Sequence, residues 1–86
     1  MQKYDCAIFK ALGDKTRYRI MSELVRRERC ACELPRLVGR AQPTVSLQLK
    51  YLSELGIVSS RRRGREVIYK VSDRRVNSLM GSGAIR

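Results

Sequence analysis

The sequence predicts a small, mostly α-helical domain with a small β-hairpin, in the order α/α/α/α/β/β/α, and three observations carry that prediction. Apolar residues recur at helical spacing in four successive segments up to Leu55. Past Gly56 the period drops from about 3.6 to about 2, the pattern of strands. Between the two regimes stands Gln42-Pro43-Thr44-Val45-Ser46-Leu47-Gln48-Leu49-Lys50-Tyr51-Leu52, a helix with both ends marked in its residues. Pro43 suits a first helical turn, where a missing N–H costs nothing, and Gly56 supplies a left-handed stop.

Taken in order, Cys6 to Leu12 is apolar at Ile8, Phe9 and Leu12 and makes a first helix that stops near Gly13. Asp14 caps a second helix, about Thr16 to Arg27, whose Ile20, Met21, Leu24 and Val25 form a continuous apolar face. A short third helix, about Glu33 to Val38, turns Leu34, Leu37 and Val38 inward and tolerates Pro35 in its first turn. Gly39-Arg40-Ala41 is then the turn of a helix-turn-helix whose second member covers about Gln42 to Leu55. There Val45, Leu49 and Leu52 form the buried stripe, so Thr44, Ser46, Leu47, Gln48 and Lys50 point elsewhere.

Ile57-Val58-Ser59-Ser60 leads into Arg61, Arg62, Arg63 and Arg65, and Glu66 to Val71 alternates behind them as the returning strand, with the turn at Gly64. That hairpin is a wing beside the helix-turn-helix. The final helix, Asp73 to Met80, has Val76, Leu79 and Met80 at helical spacing, and residues 81–86 read as a flexible tail on one domain spanning residues 1–86. The apolar faces of the first and last helices exceed what one small core needs and suit the seam of a homodimer.

Charge selects the partner. The chain carries 19 Lys plus Arg against 8 Asp plus Glu, net +11 over 86 residues, which repels itself unless a polyanion neutralises it. A membrane is disfavoured, because no apolar run approaches the roughly 18 residues of a spanning helix and no secretory signal or lipidation motif appears. Double-stranded DNA fits better. Hydroxyls, amides and a cation on the helix at Gln42, Thr44, Ser46, Gln48 and Lys50, with Leu47 among them, reach base edges and phosphates, and Arg61, Arg62, Arg63 and Arg65 reach the backbone or the minor groove.

An enzyme is excluded by what is missing: the sequence has no histidine, no phosphate loop, no clustered carboxylate pair and no nucleophile beside a base. Three cysteines, an odd number without a signal peptide, indicate reduced thiols in a cytoplasm rather than a disulfide framework. Cys30 and Cys32 are spaced to share one soft ion, and a place near a helix N-terminus beside Arg29 favours the thiolate of Cys32. The same thiols also suit a redox switch, or simple burial as small apolar residues.

Leu12-Gly13-Asp14-Lys15-Thr16-Arg17-Tyr18-Arg19-Ile20, Cys30-Ala31-Cys32-Glu33-Leu34, the segment Gln42 to Leu52, and Glu54-Leu55-Gly56-Ile57-Val58 resemble, in order and spacing, the ArsR/SmtB family of metal-responsive repressors. The resemblance implies a winged helix-turn-helix homodimer that leaves an inverted-repeat operator when a metal or metalloid binds. Lys15 and Leu47 depart from the family pattern, which shifts base readout toward Gln42, Thr44, Ser46 and Gln48. Of the Asp and His ligands on the last helix of the family's zinc sensors only Asp73 stands near such a site here, so without histidine zinc sensing there is not expected. Cys30-Ala31-Cys32 matches the Cys-x-Cys of the arsenic, antimony, cadmium and lead sensors. Pro35 stands where the arsenic sensors carry a further cysteine, so Cys6 is the expected third ligand. Three thiolates complete the shell of As(III) or Sb(III), whereas Cd(II) or Pb(II) wants a further donor that the sequence does not offer. The expectation is therefore a cytoplasmic repressor that needs no cofactor and takes As(III) or Sb(III) as inducer. A thiol redox repressor and a constitutive DNA-binding module are the alternatives.

Overall fold

The computed structural model describes residues 14–76. Helix α1 (Lys15–Arg26) begins at Asp14, whose carboxylate accepts the Arg17 N–H at 2.9 Å and satisfies one of the free donors of the first turn. Strand β1 (Arg29–Cys30) follows, then helix α2 (Leu34–Val38) and helix α3 (Gln42–Glu54). Strands β2 (Val58–Arg63) and β3 (Glu66–Val71) make the wing, and the turn α4 (Arg74–Val76) closes the described chain.

The α2–α3 connection is set by Gly39, which adopts the left-handed region at φ 70° while Pro35 O accepts the N–H groups of Gly39 and Arg40. Three arginines fasten this corner to α1. Arg19 Nη1 donates to Val38 O at 3.3 Å, Arg40 Nε to Thr16 Oγ1 at 3.2 Å, and Arg40 Nη1 to Gly39 O at 3.0 Å, while Arg17 reaches onto α3. The core lies where the three helices meet the sheet. It is built from Ile20, Met21 and Leu24 of α1, Leu34 and Val38 of α2, and Val45, Leu49 and Leu52 of α3, closed by Ile57, Val58 and Val76.

The second, third and fourth expected helices fall within a residue or two of their expected limits, and the helix-turn-helix and wing are present. Two expectations are corrected. Leu37, expected inward, is 36% exposed, because a single helical turn offers the core a narrow arc that Leu34 and Val38 occupy. The sheet also has three strands rather than two, in the antiparallel order β1-β3-β2. Arg29 pairs with Tyr69 and Cys30 with Ile68, a strand too short to show a period in sequence.

The Cys6–Leu12 helix, Leu79 and Met80, and the tail at 81–86 lie outside the described residues, and with them the expected dimer seam. Among the described residues no helix is long and apolar enough to cross a membrane.

Candidate DNA interface and thiol site

On α3 the buried stripe is Val45, Leu49 and Leu52, which turns Gln42, Thr44, Ser46, Leu47 and Lys50 to the exterior. Leu47 stands out as 65% exposed. Gln48 is half-buried, and its Oε1 accepts a hydrogen bond from Arg17 Nη1 at 3.3 Å. The Arg17 guanidinium also lies over the Tyr51 ring, 4.4 Å from its centroid, and 3.8 Å from the Asp14 carboxylate. Arg17 thus ties α3 to α1. Sequence reasoning missed this, since nothing local signals a contact across 31 residues.

The wing arginines divide by partner. Arg61 Nη2 lies 2.8 Å from Glu28 Oε1, and Arg63 Nη2 lies 3.4 Å from Glu66 Oε1, both pairs exposed. The hydrogen bond from Arg61 holds the Glu28 carboxyl below its ordinary value of 4.5, and in return the Arg61 guanidinium is raised. Arg62 and Arg65 are exposed and have no hydrogen-bond or ion-pair partner among the described residues.

The cysteine pair sits where β1 gives way to α2. Cys30 is buried and Cys32 exposed, and against the expectation of reduced thiols their Sγ atoms are joined as a disulfide, with Cα atoms 5.2 Å apart, because the chain bends after β1 and brings the two sulfurs together. The Cys32 N–H donates to Cys30 Sγ at 3.3 Å, and the Cys30 N–H donates to Glu33 Oε1 at 2.9 Å. Arg29 does not serve these thiols as expected. Its neighbour Cys30 faces the other side of the strand, and Arg29 Nη2 is committed to Glu23 at 3.0 Å. Nor does the five-residue α2 offer the thiols more than one turn of helix dipole. The unforeseen neighbour is Glu66, with a carboxylate oxygen that lies within 4.8 Å of both sulfurs.

Two clefts flank the pair. One, of about 250 Å³, is lined by Cys30, Cys32, Glu28, Glu33, Arg63, Glu66 and Ile68. The other runs from Cys30, Ala31 and Cys32 to Gln42 and Ser46 of α3 and to Arg65 and Glu66 of the wing. The sulfur pair therefore borders the same spaces as the outward residues of α3 and of the wing. Cys6 lies outside the described residues.

A helix-turn-helix with an outward polar α3, a basic antiparallel wing and an α1 clamp is a winged helix-turn-helix domain. The sequence profile of bacterial regulatory proteins of the arsR family matches residues 14–60, more than half of the chain, and the chain belongs to that family, whose members are regulators and not enzymes. It is 40% identical over 72 residues to a protein of Streptomyces lividans named a probable mercury resistance operon repressor, covering 84% of this chain and 58% of that one. It is 33% identical over 81 residues to the arsenical resistance operon repressor of Bacillus subtilis, covering 93% of this chain and 76% of the relative. Among solved structures, the AntR antimony-specific transcriptional repressor superposes with a TM-score of 0.81 at 30% identity, over 91% of this chain and 71% of that one. The chain spans little more than half the length of the mercury relative.

Proposed function

We propose that the chain is a transcriptional repressor that holds an inverted-repeat operator as a homodimer and releases it when a thiophilic ion binds Cys30 and Cys32. In this reading α3 meets base edges through Gln42, Thr44, Ser46, Leu47, Gln48 and Lys50, and Arg62 and Arg65 meet the backbone, while Arg61 and Arg63, expected beside them, give their charge to Glu28 and Glu66. Two-fold symmetry sets the two reading helices about one helical turn of DNA apart. One observation carries the reading: the sulfur pair opens onto a cleft whose far walls are Gln42 and Ser46 of the reading helix and Arg65 of the wing.

The donor chemistry fits a soft ion once the disulfide is reduced, since two thiolates two residues apart in the chain chelate it and no imidazole competes. As(III) or Sb(III) ranks ahead of Cd(II) or Pb(II) for the sulfur-only shell that Cys6 completes. The relatives named for mercury and arsenic, and the structural neighbour named for antimony, support this class of inducer. Each thiol proton leaves with one hydroxyl of arsenous acid as water, so the exchange needs no oxidant. An ion displaces the operator only by its differential affinity for the free and DNA-bound states, and saturating operator weakens ion binding by the same factor.

The test is operator binding by the reduced full chain with and without stoichiometric arsenite. Release in the wild type, with retention in Cys30→Ser and Cys32→Ser, is the expected result. A wild type that stays on DNA with metalloid bound, or a triple Cys→Ser variant that still responds, overturns it. The sulfur contact supports a second reading, in which a peroxide takes two electrons and two protons from the dithiol, forming the disulfide and two waters. Release by peroxide but not by arsenite selects that reading.

A further inference from the structure

We propose that Glu66 of the wing is an ion ligand, completing with Cys30 and Cys32 a mixed sulfur–oxygen site that takes a divalent soft cation such as Cd(II) or Pb(II). The proposal rests on the thiolate reading above and opens the same sulfur pair to a second class of ion.

The sheet register builds the site. Cys30 pairs with Ile68, so both side chains leave the same face of the sheet, and Glu66 lies two residues along β3 on that face. Its carboxylate oxygen comes within 4.8 Å of both sulfurs of the disulfide, which reduction frees as two ligands beside it. One ion with bonds of about 2.3 Å to sulfur and about 2.2 Å to oxygen bridges ligand atoms up to about 4.5 Å apart, and Cd(II) and Pb(II), which form longer bonds, reach further. The neighbouring carboxylates are committed elsewhere. Glu33 accepts the Cys30 N–H at 2.9 Å and Glu28 holds Arg61 at 2.8 Å. Among the described residues Glu66 is held only by Arg63, at 3.4 Å in an exposed pair, the kind of contact that costs little to exchange.

The chemistry separates the two classes of ion. As(III) is complete with three thiolates and gains nothing from a carboxylate. A divalent cation of this size seeks four or more donors, and two sulfurs with a bidentate carboxylate supply four. Two thiolates and one carboxylate also carry three negative charges against two positive, so the occupied site is nearly neutral in a strongly basic surface. Ligation withdraws Glu66 from Arg63, which faces it across the hairpin, and ties β3 to the β1–α2 junction. The ion thus acts directly on the wing.

The test is titration of the reduced full chain with Cd(II), followed by sulfur-to-cadmium charge-transfer absorption, with a competing chelator for affinity. Glu66→Gln is expected to weaken Cd(II) binding at least tenfold while arsenite-driven release from the operator stays as in the wild type. Arg63→Ala, which removes the competing cation, is expected to tighten Cd(II), and cadmium NMR is expected to show oxygen as well as sulfur ligation. Equal Cd(II) affinity in Glu66→Gln and wild type, or a sulfur-only cadmium spectrum, overturns the proposal and leaves the thiolate reading standing. Failure of the wild type to bind either arsenite or Cd(II) overturns both. Glu66 is exposed, and an unchanged far-ultraviolet circular dichroism spectrum establishes that the variant is folded.

Discussion

Deleting wing arginines separates those that neutralise phosphate from those already neutralised by the protein. Arg62 and Arg65 have no carboxylate partner among the described residues, whereas Arg61 spends its charge on Glu28 at 2.8 Å. Each phosphate contact contributes about 0.9 to the slope of log K against log salt, so the double variant Arg62→Ala/Arg65→Ala flattens that slope by about 1.8. Between 50 and 200 mM salt each contact is worth about 3.5-fold, so the wild type loses about twelvefold more affinity over that range than the double variant. The paired deletion Arg61→Ala/Glu28→Ala removes a cation together with its counter-charge and leaves the slope within experimental error of the wild type. Fluorescence anisotropy on one labelled duplex across the salt range measures all three proteins. A double variant with the wild-type slope, or a paired deletion that flattens it as much, refutes the division of the wing by intramolecular pairing.

Other perturbations test the reading helix, the core and the Glu28 pair. If Leu47, 65% exposed on α3, packs on a thymine methyl, replacing that thymine by deoxyuridine in a selected operator costs about 0.8 kcal/mol, roughly fourfold, and Leu47→Ala abolishes the difference. Equal binding to uracil at every position excludes that contact. Leu52→Ala, at a fully buried site between the helices, is expected to cost about 2–5 kcal/mol in chemical denaturation, and a loss below 1 kcal/mol contradicts the packing described. The Glu28 carboxyl titrates below 4.5 because Arg61 hydrogen-bonds its ionised form. The stabilisation from that pair is therefore complete above the unfolded value and lost as pH falls through the lower native one. NMR titration of the Glu28 side chain follows this, with Arg61→Ala expected to return it toward 4.5.

Local physics made much of the molecule legible. Helix limits at Asp14 and Gly39, the buried stripe Val45, Leu49 and Leu52, and the change of period at Gly56 each follow from residues within one or two turns of one another. The same holds for the exposure of Thr44, Ser46 and Leu47, because a helix that buries one stripe must turn the intervening positions out. Leu37 failed because α2 is a single turn, where spacing leaves the inward arc under-determined.

Net charge, the absence of histidine and the spacing of Cys30 and Cys32 are properties of the sequence by itself, and they carry the proposed partner class and inducer chemistry. Tertiary structure alone decided which side chains meet across long separations. Arg17 reaches Gln48 and Tyr51 because α1 crosses α3, and Arg29 turns away from the thiols to Glu23. Glu66 arrives beside Cys30 and Cys32 because a two-residue strand pairs with β3 in one particular register. A strand that short has no periodicity to read, and shifting the register by one residue sends Glu66 to the opposite face of the sheet.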